Sequence, residues 1–163
     1  MSKPKHLYHG STNQNIAVFE PRQESIRNVH EGAVIFATDS PAVASKFIVP
    51  CDDSWSQLSG FNNTQVVICS DKNKFLRQDK GGAIYKLPSD SFIIDPQFTK
   101  SSQEYTSKTS VTPVSRELFD SGLKAMFKYG VQVYFVTQEQ LLTIKKASDH
   151  GWAIIKTLPP EKP

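Results

Sequence analysis

The dipeptide His9-Gly10 closes the first apolar segment of the chain and is followed at once by Ser11 and Thr12. That cluster puts an imidazole, main-chain amide and carbonyl groups and two hydroxyls within a small volume. An imidazole titrates near neutrality and can donate or accept at either ring nitrogen, while a glycine lets a flat ligand approach the main chain. An ordinary turn with an incidental histidine offers the same residues, so spacing alone does not separate the two readings. Further along, three positions compete to supply a carboxylate or its amide counterpart: Glu104 at the head of Glu104-Tyr-Thr-Ser107, Gln132 at the head of Gln-Val-Tyr-Phe-Val136, and Glu139 within Thr137-Gln-Glu-Gln140. Glu139 is explained as a complement to the dipole of a helix beginning there. Arg22, in Phe19-Glu-Pro-Arg22, offers a guanidinium suited to clamping a pyrophosphate, or simply a surface charge. His30 reads as a solvated loop residue. No CxxC or HExxH spacing is present, so no metal is expected. Cys51 and Cys69 are too few for a disulfide scaffold and read as reduced thiols, with Asp52 and Asp53 disfavouring a thiolate at Cys51.

Taken in order, Leu7-Tyr-His-Gly-Ser11, then Val34-Ile-Phe-Ala-Thr-Asp39, then Ala44 resemble the ADP-ribosyltransferase superfamily, specifically small bacterial proteins of the poly(ADP-ribose)-polymerase-like type. The resemblance covers residues 7–48 by motif and 82–136 as an order of strands. It implies a split antiparallel sheet that grips NAD in a cleft. By that resemblance His9 hydrogen-bonds the ribose beside nicotinamide, the Gly10 main chain pairs with the carboxamide, and Ser11 supports the same ribose. Arg22 is the candidate for the pyrophosphate. The second motif of the family supplies a tyrosine that stacks on nicotinamide. Here Phe36 or Ile35 stands in its place, depending on whether the aromatic or the Phe-Ala pair is aligned. The third motif is a glutamate, with Glu104 as the candidate and Gln132 as the alternative that would lack the carboxylate.

The chemistry of such a glutamate follows from elementary principles. Cleaving the nicotinamide–ribose bond builds positive charge on the sugar, much as glycoside hydrolysis does. A nearby carboxylate stabilises that charge and can take the proton of the incoming nucleophile. The implied activity is transfer of ADP-ribose from NAD to a macromolecular acceptor, protein or nucleic acid, without a metal. The alternative is an inactive module on the same fold that binds a nucleotide, ADP-ribose or a protein partner.

These residues need elements to hold them. The chain has 163 residues and is expected to form one domain over 1–163, with a Pro-rich tail at 158–163. A hydrophobic content of 38% with fifteen Phe and Tyr residues excludes wholesale disorder. No apolar run is long enough for a spanning helix, and the N-terminus leads into only two apolar residues, so a cytoplasmic protein without membrane contact is expected. The net charge of +3 comes from scattered Lys and Arg, a mild pointer to a phosphate-bearing partner rather than a nucleic-acid-binding face.

Strands are predicted at 5–9, 34–37, 65–70, 82–87, 91–95, 104–111, 131–136 and 152–158. Residues 10–13 read as a turn, 51–64 as loop and 71–74 as a charged connection. A helix capped by Ser40-Pro41 is expected to run to Pro50. A second should open at Thr112-Pro113, carry a stripe of Phe119, Leu123, Met126 and Phe127, and stop at Gly130. Thr137 and Gln140 form a capping box for a third, through about Ala147. Phe92, Phe98, Tyr134 and Trp152 are assigned to the core or its cover. Few helices and short strands together predict an α+β fold with a mainly antiparallel sheet.

Overall fold

The computed structural model describes residues 3–22, 32–94 and 104–163. In chain order the elements are β1 (His6–Ser11), β2 (Ile35–Thr38), α1 (Pro41–Ser45), β3 (Ser56–Phe61), β4 (Thr64–Cys69), α2 (Lys72–Gln78), β5 (Gly82–Pro88), β6 (Ile93–Ile94), β7 (Glu104–Ser107), β8 (Ser115–Phe119), α3 (Gly122–Lys128), β9 (Gln132–Phe135), α4 (Gln138–Lys146) and α5 (Trp152–Ile155). They make an α+β fold with two sheets. Six strands in the order β6-β7-β2-β1-β5-β8 pair antiparallel throughout. Three more, β3-β4-β9, form a second sheet in which only β4 and β9 run parallel.

Alternation along β1 divides its side chains between two environments. Leu7 enters a core with Ile35, Ala37, Tyr85, Leu87 and Tyr105 on one face of the larger sheet. Tyr8 packs on the other face, against Ala44 of α1 and Ile48 in the turns that follow it. The smaller sheet is covered on both sides. Val67, Cys69 and Val133 meet α3 through Met126, whereas Val66, Ile68 and Tyr134 meet α4 and α5 through Leu141, Ile144 and Ile155. Burial on two faces explains why β4 reads as an unbroken apolar run.

β1 pairs with β5 at six positions, His6 through Ser11, but Tyr8↔Thr38 is the one registered pair between β1 and β2 among the described residues. Beyond that pair the two strands part, toward His9 and Gly10 on one side and Phe36 on the other.

Local punctuation accounts for most of the elements. Ser40 accepts from the Val43 amide at 3.2 Å and Pro41 takes the first turn of α1, as its residue types require. The helix ends at Ser45 rather than Pro50, and single turns carry the chain through Ile48. The Thr137–Gln140 capping box is present, and Gly130 is left-handed at φ 76° after α3.

Several expectations are corrected. Gly10 and Ser11 continue β1 instead of turning, because β5 offers partners as far as Ala83. Residues 56–61 form β3, joined to β4 through Asn62 and Asn63 at φ 48° and 68°, the left-handed pair that a two-residue hairpin needs. The charged connection at 71–74 is the capped start of α2, with Asp71 accepting from the Lys74 amide at 2.9 Å. The helix expected from Thr112 divides in two: Phe119 belongs to β8, and α3 begins only after Ser121. There the Asp79 carboxylate accepts from the Gly122 and Leu123 amides at 2.6 and 3.0 Å. Trp152–Ile155 is helical rather than a strand, since Asp149 accepts from the Ala153 amide at 2.9 Å and starts a turn. Phe92 and Tyr134 are buried, and Trp152 stacks on Phe61 with centroids 4.9 Å apart. His30 and Phe98 lie outside the described residues. No helix among the described residues is long and apolar enough to cross a membrane.

Candidate functional site

Where β1 and β2 part, a cavity of about 330 Å³ opens between the larger sheet and α1. β1 contributes Tyr8, His9 and Gly10, β2 contributes Phe36 and Thr38, and β7 contributes Glu104. His9 and Glu104 thus wall one cavity although they are far apart in sequence. The antiparallel pairing that sets Glu104 opposite Thr38 is what carries the carboxylate there. Val43 and Phe47 close the side toward α1.

His9 is fixed from two directions. Its Nδ1 lies 2.6 Å from the Phe36 carbonyl oxygen, and its ring meets Phe19 edge-on with centroids 4.8 Å apart. A carbonyl only accepts, so Nδ1 carries the proton and donates across the gap between the strands. Burial holds the imidazole below its ordinary value, the Phe36 carbonyl opposes that shift, and the Arg22 charge adds to it. The ring is therefore neutral at physiological pH, with Nε2 as an unprotonated acceptor.

A second cavity of about 330 Å³ lies against His9 and Phe36 as well, and Ser11, Ile35 and Arg22 contribute to its wall. Ser11 Oγ already accepts from the Asn13 amide at 3.1 Å, and the Arg22 main chain bridges to Val34. The four residues that the motifs and the loop nominate beside His9 and Glu104 thus fall around that histidine: Gly10 and Phe36 on the first cavity, Ser11, Arg22 and again Phe36 on the second. Ile35 is buried in the core at 4% exposure and reaches only the second cavity, whereas Phe36, the other candidate for the aromatic position, lines both.

Gly10 has a second reason to lack a side chain. A Cβ there would stand 1.9 Å from the Ala44 carbonyl oxygen, so α1 can lie against β1 only over a glycine. Gln132 sits on β9 in the smaller sheet, its Oε1 accepting from the Tyr134 hydroxyl at 2.7 Å, and is no part of either cavity wall. Glu139 stands in the first turn of α4, where it complements the helix dipole.

Sequence reasoning missed Phe47, Val43 and Lys46. Phe47 falls four residues after Val43 within the helix expected to run to Pro50, yet the helix ends before it and leaves it 51% exposed at the cavity. Lys46, beside it, is buried, and its Nζ donates to Gln65 Oε1 at 2.7 Å and to the Ser59 carbonyl at 3.2 Å. Both cysteines are free thiols, as expected, but Cys51 departs from the effect expected of its acidic neighbours. A hydrogen bond from Cys69 lowers Cys51 and outweighs Asp52, while Cys69 is driven upward. Among the described residues no group of three or more His, Cys, Asp and Glu is gathered as a metal site would need. No protein-family model matches the chain, and neither do any curated protein or solved structure.

Proposed function

We propose that this protein binds NAD between β1 and β2 on an ADP-ribosyltransferase-type fold and transfers ADP-ribose to a macromolecular acceptor. The observation that carries the reading is His9 and Glu104 on the wall of one cavity, at the place where two central strands part. A neutral His9 with its proton held by Phe36 leaves Nε2 to accept from a ribose hydroxyl, which orients the sugar without adding positive charge beside it. The ring of Phe36 supplies an apolar face for nicotinamide, and Gly10 leaves main-chain groups within reach of its carboxamide. Arg22 carries a charge opposite to the pyrophosphate on the adjoining cavity.

In the step itself the C1′–N glycosidic bond breaks, its electron pair leaves with nicotinamide, and positive charge develops on the ribose. The Glu104 carboxylate stabilises that charge. A lone pair of the acceptor forms the new bond to C1′, and its proton passes to Glu104 and then to solvent.

The test is incubation of purified protein with adenine-labelled NAD and heat-treated lysate. Label should enter macromolecular material as nicotinamide is released, and Glu104→Gln should slow release by about 10²–10⁴-fold while still binding NAD. Binding of NAD, seen as a rise in melting temperature, without any release would favour the binding module instead. The absence of a tyrosine hydroxyl at Phe36 is the feature that would explain it. Neither release nor stabilisation would overturn both.

A further inference from the structure

We infer that Cys51 and Cys69 form a redox-responsive dithiol, which a peroxide closes to an internal disulfide and a small thiol reductant reopens. They are the chain's two cysteines, and the fold brings them together. Cys51 follows the turns after α1 and is half-buried, whereas Cys69 ends β4 and is fully buried. Cys51 packs against the apolar cluster that holds Cys69, Trp55, Val67 and Met126.

Hydrogen bonds fasten the turn that starts at Cys51 to the strand that ends at Cys69. The Asp52 carbonyl accepts from the Trp55 amide at 3.3 Å and from the Ser56 hydroxyl at 2.7 Å, which folds 52–56 back on itself. Ser56 is the antiparallel partner of Cys69 across β3 and β4. The residue after Cys69, Ser70, donates from its amide to the Trp55 carbonyl at 2.9 Å. Both cysteines thus flank the same short stretch of main chain, and the Cys69 thiol donates to the Cys51 sulfur. A single buried cysteine is an ordinary small apolar residue. A second one against it, half-open to solvent, gives the pair a reaction.

Exposure divides the roles. Cys51 is the sulfur that an oxidant can reach, and the Cys69 hydrogen bond holds it below its ordinary value, which favours the nucleophilic thiolate. Lys74, its Nζ 4.6 Å from the Trp55 ring centroid, adds a favourable charge. With hydrogen peroxide as oxidant, the Cys51 thiolate attacks one oxygen. The S–O bond forms, the O–O bond breaks, and the departing hydroxide takes up a proton as water. The Cys69 sulfur then attacks the Cys51 sulfenic acid: the S–S bond forms, the S–O bond breaks, and hydroxide leaves with the Cys69 proton as a second water. Two thiols and one peroxide give one disulfide and two waters. A thiol reductant reverses this by exchange.

The experiment treats the folded protein with hydrogen peroxide, blocks remaining thiols, and maps peptides without reduction after chymotryptic cleavage between the cysteines, at Trp55 or Phe61. A loss of two hydrogens and a crosslinked pair of peptides carrying Cys51 and Cys69 are expected, both undone by dithiothreitol. In Cys69→Ser the reaction should stop at a Cys51 sulfenic acid that dimedone traps, and in Cys51→Ser the sealed Cys69 should stay a thiol. The oxidised parent protein should melt several degrees higher, because the bond closes a loop in the unfolded chain. Oxygen added at Cys51 without a crosslink, a crosslink between two molecules, or a lower melting temperature would each overturn the inference. If a serine variant does not fold, the peptides of the parent protein decide alone. None of these readouts depends on NAD, so they stand or fall apart from the transferase reading.

Discussion

A single hydrogen bond decides what His9 can do. Because the Phe36 carbonyl takes the Nδ1 proton at 2.6 Å, a second proton on the ring would have to be accommodated at Nε2 inside partly buried surroundings that already disfavour charge. The consequence is a sign that can be measured. The folded ring titrates below the 6.5 of an exposed histidine, so as pH falls through 6.5 the unfolded chain gains a proton that the folded chain does not. Stability contributed by the neutral ring is fully present above 6.5 and is lost below it. Melting temperatures of the parent and of His9→Gln, measured from pH 7.5 down to 5, should therefore converge; a gap that stays constant would contradict the burial argument. His9, Glu104 and Phe36 were legible as candidates because their chemistry is written in residue type. Between Glu104 and Gln132 residue type could not choose, since that depended on which strand pairs with β2. Phe47 was hidden by the opposite problem: an apolar side chain at helical spacing looks like core until the helix stops short of it.

At the scale of elements, the contact between β1 and α1 sets the shape of the cavity. Gly10 faces the Ala44 carbonyl so closely that a methyl group would stand 1.9 Å from the oxygen, a main-chain atom unable to swing aside. Gly10→Ala must then shift α1, and with it Val43, Phe47 and Lys46. Overpacking of this kind costs about 1–3 kcal/mol, which for a chain of this size lowers the melting temperature by about 3–10 °C. Calorimetry should show that loss together with weakened NAD binding; unchanged melting would mean the helix relaxes freely. The start of α1 was readable because Ser40-Pro41 is local chemistry. Strand β3 was not: Ser56–Phe61 carries few apolar residues and has β4 as its sole neighbour in the smaller sheet, so its pairing comes from the Asn62-Asn63 turn rather than from its own pattern. The boundary between β8 and α3 was obscured for a related reason. Phe119 falls at helical spacing from Leu123, and what separates them is a distant carboxylate, Asp79, capping the helix after Ser121.

Across the whole molecule, the two sheets communicate through α1, and Lys46 is where that connection carries charge. Its depressed value has a thermodynamic cost whose direction is fixed. The unfolded amine keeps its proton up to about 10.5, whereas the folded one releases it near 8, so stability rises with pH between those limits and the penalty is fully felt below about 8. A shift of that size corresponds to about 3 kcal/mol. Replacing Lys46 with methionine removes the penalty but leaves Gln65 Oε1 and the Ser59 carbonyl without their ammonium donor, a loss of about 1–2 kcal/mol for the two together. At pH 7 the first effect is larger, and Lys46→Met should melt at a higher temperature than the parent. Near pH 10 the folded amine is neutral and most of the penalty is gone, so the lost hydrogen bonds dominate and the order should reverse. Thermal melts of the two proteins at pH 7 and pH 10 check this directly. A variant less stable at both values would mean that the hydrogen bonds to the hairpin outweigh the buried charge. The predicted crossover would instead mark Lys46 as a residue kept against the interest of stability.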